Sequence, residues 1–146
     1  MQVTMAQVNP IVGDIQGNRD RVARVCEECA HDRPDLIIFP ELYLSGYPPK
    51  DLLERDWFIA GVLRAIEDLK RLSTRYPETG IVLGAPLPTG SRKGKRLHNA
   101  AILLYRGELV ATARKALLPT YDVFDEARYF EAVSDAHVVP FKGERI

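Results

Sequence analysis

The sequence is short of several things, and each shortage excludes something. It has two cysteines, Cys26 and Cys29, in 146 residues. That is too few for a disulfide framework. It has no excess of either charge, with 20 basic and 20 acidic side chains interspersed along the chain. A nucleic-acid surface or a polybasic membrane anchor would need a cluster of one sign. No apolar run is long enough to span a bilayer. The first residues, Met1 to Ala6, lack the basic-then-apolar order of a secretion signal, so a cytoplasmic location is expected. There is no Gly-rich phosphate loop. No internal repeat, low-complexity segment or linker interrupts the chain, and its length is that of one domain at most.

The two cysteines sit in Val25-Cys26-Glu27-Glu28-Cys29-Ala30, inside a helical pattern. A redox-active pair needs a helix N-terminus to lower its thiol pKa. Mid-helix and beside two glutamates, these thiols are expected to be buried and inert. Only His31 lies close enough in sequence to join them as a metal ligand, which is too few for a site.

What is present alternates between two periodicities. Gln2–Val8 reads as a strand, and an amphipathic helix follows, capped by Asp14 or Asn18 and running to about His31. Leu36–Phe39 is short, apolar and β-branched, the pattern of a strand buried on both faces. A second amphipathic helix covers Asp56–Tyr76, and Ile81–Ala85 is a third strand. His98–Tyr105 and Glu108–Lys115 flank the turn Arg106-Gly107 and form a hairpin. Ala136–Phe141 reads as a sixth strand before the turn Lys142-Gly143-Glu144. The cluster Arg92, Lys93, Lys95, Arg96 reads as a solvated loop. Strand–helix–strand at the start implies a parallel unit, and the hairpin adds antiparallel strands to it.

The chemistry concentrates at two strand ends. Pro40 ends the Leu36–Phe39 strand because it has no N–H for the ladder. Glu41 follows at the C-terminal edge, where α/β sheets place reacting groups. A rigid loop with Tyr43, Gly46, Tyr47, Pro48 and Pro49 comes next. The second stretch, Arg114-Lys115-Ala116-Leu117-Leu118-Pro119, puts a lysine at another strand end.

Ile38-Phe39-Pro40-Glu41-Leu42 resembles the first-glutamate motif of the nitrilase (carbon–nitrogen hydrolase) superfamily. Its continuation, Ser45-Gly46-Tyr47-Pro48-Pro49-Lys50-Asp51-Leu52-Leu53, is similar to the glutaminase domain of glutamine-dependent NAD synthetases. The stretch from Arg114 through Tyr121-Asp122-Val123-Phe124-Asp125-Glu126 to Phe130 resembles the segment that carries the catalytic lysine there. The resemblance covers nearly the whole chain. It implies an α/β fold, a nitrilase-like α-β-β-α sandwich with a mixed parallel and antiparallel sheet, incomplete in this chain. Residues 1–146 would be the N-terminal part of a glutaminase domain.

The same resemblance implies a Glu–Lys–Cys triad. Glu41 matches the general base and Lys115 the oxyanion stabiliser. Tyr121 matches a glutamine-binding position; beside these matches, Tyr47 and Phe124 are candidate pocket walls and Glu126 a candidate second carboxylate to orient Lys115. The nucleophilic cysteine is expected beyond Ile146, since Cys26 and Cys29 lie on the first helix. The implied partners are glutamine, a C-terminal synthetase domain that uses ATP and Mg²⁺, and further copies of the chain. No cofactor is expected within these residues. A stand-alone amidase or carbamoylase of the superfamily, and a non-catalytic α/β interaction module, are the competing readings.

Overall fold

The computed structural model describes residues 1–91, 93–122, 124–134 and 138–146. Five strands form one mixed sheet in the order β1-β2-β3-β4-β5, which is also their order in the chain. They are β1 (Val3–Met5), β2 (Leu36–Ile38), β3 (Gly80–Pro88), β4 (Leu97–Tyr105) and β5 (Glu108–Arg114). The pairs β1–β2 and β2–β3 are parallel, and β3–β4 and β4–β5 are antiparallel. The expected βαβ start and the added hairpin are therefore both present. Arg106 and Gly107 have φ of 50° and 87°, the paired positive values of a two-residue hairpin turn.

Helices α1 (Ile15–Cys29) and α2 (Asp56–Ser73) form the two crossovers. Asp14 caps α1 by accepting from the Gly17 N–H at 2.9 Å. Asn18, the other candidate cap, is buried inside the helix instead. Its side chain bonds the N–H and C=O of Ile11 and the C=O of Leu44, tying two loops together. The stripe Phe58, Val62, Ala65, Ile66 and Leu69 on α2 meets Val22, Val25 and Cys26 on α1. Both pack on Ile37, Phe39, Ile81, Leu83, Ile102 and Leu104 of the sheet. Each fully buried aliphatic or aromatic side chain here contributes about 1.5–3 kcal/mol relative to exposure.

Only one face of the sheet is covered this way. Over the other, a hairpin of β6 (Pro140–Phe141) and β7 (Glu144–Arg145) seats Phe141 on Leu36 and Leu103. Lys142 pins that hairpin through Asp35 and the carbonyl of Glu78. The rest of the face is open, with Val3, Met5 and Ile38 exposed. This corrects the reading of β2 as buried on both faces. Period-2 alternation points Ile37 at the helices and Ile38 away from them.

Other boundaries shift for local reasons. Beyond Met5 the N–H groups of Gln7 and Val8 turn back onto Met5 and Ala6, so β1 stops well short of Val8. β3 runs on to Pro88 because β2 has ended, leaving β3 as an edge where Pro86 and Pro88 are tolerated. The sixth strand is two residues long, and Glu144 belongs to β7 rather than to the turn. Residues 136 and 137 of the expected strand, with Arg92 of the basic loop, lie outside the described residues.

Cys26 is buried, and burial, with the neighbouring Cys29, pushes its thiol up to about 12. Cys29 is half-buried rather than buried, its thiol also raised, first by burial and then by Asp32 and Glu28. The Cys26 thiol is almost wholly protonated at pH 8, where roughly a quarter of a free cysteine is thiolate. Timed thiol labelling of the native protein should therefore leave Cys26 unmodified long after a free thiol has reacted. Labelling of Cys26 at the free-thiol rate would show that the α1–sheet packing is wrong.

Candidate functional site

Glu41 stands where the chain leaves β2 and crosses over β3. The Phe39 N–H still bonds Val82, and Pro40 then frees the chain from the ladder. The turn that follows puts Leu42 at φ 48° with its side chain fully buried. It lies directly on Gly84 of β3. The Gly84 N–H donates to the Pro40 carbonyl at 3.2 Å, and the Leu44 N–H donates to the Gly84 carbonyl at 3.3 Å. A Cβ on Gly84 would stand 2.1 Å from the Leu42 nitrogen and 2.7 Å from the Glu41 Cα. The residue at this crossing has to be glycine for Glu41 to sit where it does.

Lys115 follows β5. Its N–H bonds the Asn99 carbonyl at 2.8 Å, which prolongs the β4–β5 ladder by one residue. Its side chain crosses to Glu41, 74 positions earlier, with Nζ 2.7 Å from Oε1. Nζ also lies 3.0 Å from Glu126, at the start of α3 (Glu126–Tyr129). The two strand-end groups therefore meet, as the sequence predicts, and the second carboxylate joins them. Glu126 is 5% exposed and fully partnered. The Tyr47 hydroxyl donates to its Oε1 at 2.8 Å. Asn99 Nδ2 donates to Oε2 at 3.2 Å and to Glu41 Oε1 at 2.5 Å.

Burial works against the Lys115 ammonium, but the hydrogen bonds and charges of Glu41 and Glu126 outweigh it. Its pKa lies above the ordinary lysine value of 10.5. The stabilisation from this pairing is thus fully present below the unfolded pKa, and is lost only as pH rises through the folded one. Burial, and then the bond to Glu126, raises the Tyr47 phenol, so Tyr47 serves as a neutral donor.

Asn99 was not singled out by sequence reading. It is 3% exposed and is the residue that bonds Glu41, Glu126 and the Lys115 backbone together. The available signal was a polar residue interrupting an apolar strand. Gly84 was also missed, although a glycine inside an apolar strand marks a close backbone approach.

Two depressions adjoin the ion pair. One, of about 380 Å³, runs along the open sheet face past Ile38, Val82 and Ala101 to Glu41, Asn99 and Lys115. The other, of about 250 Å³, is walled by Tyr47, Pro49, Phe124, Glu126, Arg128 and Tyr129. Tyr47, Phe124 and Tyr121 form a row, with centroids 6.1 Å and then 5.5 Å apart. Tyr121 is the exposed outer end of that row. Cys26 belongs to α1 and the core on the opposite side of the sheet. Among the described residues no group of three or more His, Cys, Asp or Glu is placed to hold a metal ion, and no helix is long and apolar enough to cross a membrane. The arrangement offers a proton acceptor and a fixed ammonium side by side at the mouth of an apolar groove.

The sequence profile of the carbon–nitrogen hydrolases matches residues 2–144. The chain belongs to the carbon–nitrogen hydrolase family. Among curated relatives of the chain, the glutamine-dependent NAD(+) synthetase of Aquifex aeolicus is 33% identical over the whole of it. That of Synechocystis sp. is 36% identical over 99% of it. The chain spans about a quarter of the length of these relatives, 24% and 26%. The solved glutamine-dependent NAD+ synthetase of Acinetobacter baumannii, in complex with ADP, superposes with a TM-score of 0.82 at 29% identity, over 99% of this chain and 26% of that one. A mutant of the Nesterenkonia AN1 amidase, of the nitrilase superfamily, shares the fold with a TM-score of 0.82 at 19% identity, over 99% and 53%. The mixed sheet with helices on one face is thus the nitrilase-superfamily fold expected from the motifs.

Proposed function

We propose that this hydrolase chain is the N-terminal part of a glutaminase domain that releases ammonia from glutamine for ATP-dependent NAD synthesis. The observation that carries the reading is the Lys115 ammonium held between Glu41 and Glu126, in a chain similar along its whole length to glutamine-dependent NAD synthetases. In this reading a cysteine from outside these residues attacks the glutamine amide carbon. Glu41 takes the thiol proton, returns it to the departing ammonia as the thioester forms, and, a carboxylate again, activates the water that hydrolyses the thioester. Lys115 stabilises the negative oxygen of each tetrahedral intermediate. Glu126 and Asn99 hold Lys115 and Glu41 in register, and Tyr47, Phe124 and Tyr121 shape the glutamine site. ATP and Mg²⁺ would act in a synthetase domain, where the ammonia meets an adenylated nicotinic acid dinucleotide.

The test uses a protein carrying this chain together with the nucleophile and synthetase. Glu41→Gln and Lys115→Met should each lower glutamate release by roughly 10²–10⁴. NAD formation from added ammonium should stay within a few fold of the parent. If Glu41→Gln keeps glutamate release within tenfold, Glu41 is not the base. If neither glutamine nor ammonium supports NAD formation in the parent, the synthetase assignment fails and other amides become the substrates to screen.

A further inference from the structure

Glu41 and Glu126 both touch the Lys115 ammonium, but the proposed reaction uses them differently. As the base, Glu41 is neutral whenever it holds a proton. For that interval Glu126 is, among the described residues, the one carboxylate left beside Lys115. It must then keep the ammonium where the oxyanion forms. Little in the local chain holds Glu126 in place. It opens α3, a helix of a single turn, and helices that short have little stability of their own. The Asp125 side chain makes no capping bond to that turn. The carboxylate is fixed from outside, by Asn99 Nδ2 at 3.2 Å and by the Tyr47 hydroxyl at 2.8 Å.

Tyr47 makes the shorter of these two bonds, and it stands on a loop that is itself pinned. Gly46, just before it, lies on the main chain of Val12, where a Cβ would come to 2.5 Å from the Val12 Cα. Ser45 is completely buried, with its hydroxyl donating to the Leu42 carbonyl at 3.0 Å and its carbonyl accepting from the Gly13 N–H at 2.9 Å. The Tyr47 ring packs on Leu42, Leu53 and Phe130. A phenol has one O–H to donate, and here it is committed to Glu126 Oε1. While that bond stands, the hydroxyl cannot donate to a substrate, and the ring alone is left to serve as a wall. We propose that Tyr47 is a positioning residue. Its hydroxyl fixes Glu126, and through Glu126 it holds the Lys115 ammonium at the reacting carbonyl while Glu41 carries a proton. This deepens the glutaminase reading and rests on it. A wall and an anchor ask different things of position 47: phenylalanine keeps the wall and removes the anchor.

The test compares Tyr47→Phe with the parent in a protein carrying this chain together with the nucleophile and synthetase. The turnover number for glutamate release should fall roughly tenfold to a hundredfold, the worth of a hydrogen bond to a charged group. KM for glutamine should stay within about threefold, since the ring that lines the pocket is kept. NAD formation from added ammonium should stay within a few fold, which shows that the variant is folded. An unchanged turnover number, or a loss that appears in KM, would leave Tyr47 a wall only and overturn the proposal. A second measurement needs no turnover. In the 146-residue chain the Tyr47 hydroxyl proton should give a slowly exchanging NMR signal, absent in Tyr47→Phe and moved by Glu126→Gln. A missing signal, or one that Glu126→Gln leaves in place, would mean that the hydroxyl does not hold Glu126, and the proposal fails. If the hydroxyl signal behaves as expected but the parent releases no glutamate, the glutaminase reading fails and takes the catalytic role of Tyr47 with it.

Discussion

Incubated with glutamine, the 146-residue chain will release glutamate no faster than buffer does. The proposed base and the ammonium stand side by side, with Lys115 Nζ 2.7 Å from Glu41. Acyl transfer from an amide still needs a strong nucleophile near both. The two thiols in the sequence cannot serve. Both lie on α1, Cys26 on the far side of the sheet with its thiol pushed up to about 12. Where catalytic residues act as a unit, losing the nucleophile alone costs roughly 10⁶ in rate. A coupled glutamate assay on the chain and on a longer protein that adds a cysteine-bearing strand makes the comparison. Turnover by the short chain approaching that of the longer one would remove both the triad and the roles proposed for Glu41 and Lys115.

Gly84→Ala will destabilise the fold severely, by about 3 kcal/mol or more. Overpacking a well-packed core costs typically about 1–3 kcal/mol, when side chains can yield. Here the new methyl meets main chain, at 2.1 Å from the Leu42 nitrogen and 2.7 Å from the Glu41 Cα and carbonyl carbon. Neither side can retreat cheaply. Leu42 is already at positive φ with a fully buried side chain, and Gly84 is tied to the turn through both its N–H and its C=O. Any shift that relieves the contact also moves Glu41 away from Lys115. Denaturant titration measures the loss. Ala101→Ser, at the exposed position paired with Gly84 across the sheet, serves as the control and should change stability by less than about 0.5 kcal/mol. A Gly84→Ala protein within 1 kcal/mol of the parent, an order-of-magnitude threshold for a tolerated change, would show that the turn does not lie on β3.

These two results depend on features that differ in how far the sequence reveals them. Glu41 and Lys115 were legible because each stands at the end of an apolar strand within a recognisable run of residues. Their meeting was legible from topology, since both strand ends fall on one edge. Asn99 was not, because its role exists only through register. One Asn in an apolar strand looks the same wherever its amide points, and only the pairing Asn99↔Pro86, with Lys115 bonded alongside, aims it between two carboxylates. The length of β3 was hidden for a similar reason. Proline argues against a central strand, and β3 changes from central to edge part-way along because β2 stops at Ile38. The exposure of Ile38 was invisible too, as an apolar run of four does not say whether both faces will be covered.

The strand order β1-β2-β3-β4-β5 has a consequence for how the molecule comes together. Every strand of the main sheet pairs with its neighbour in the chain. No strand must wait for a distant segment before it can add to the sheet, and each step closes a loop no longer than one crossover. Loop-closure entropy rises only as the logarithm of loop length, so each crossover adds a modest cost. A nascent chain can therefore lay down this sheet in the order in which it is synthesised. The Lys115 contacts with Glu41 and Glu126 are then closures made on a scaffold already standing. The Glu41 turn is set only once Gly84 of β3 lies beneath it, and its partner Lys115 is made later still, 74 positions after Glu41.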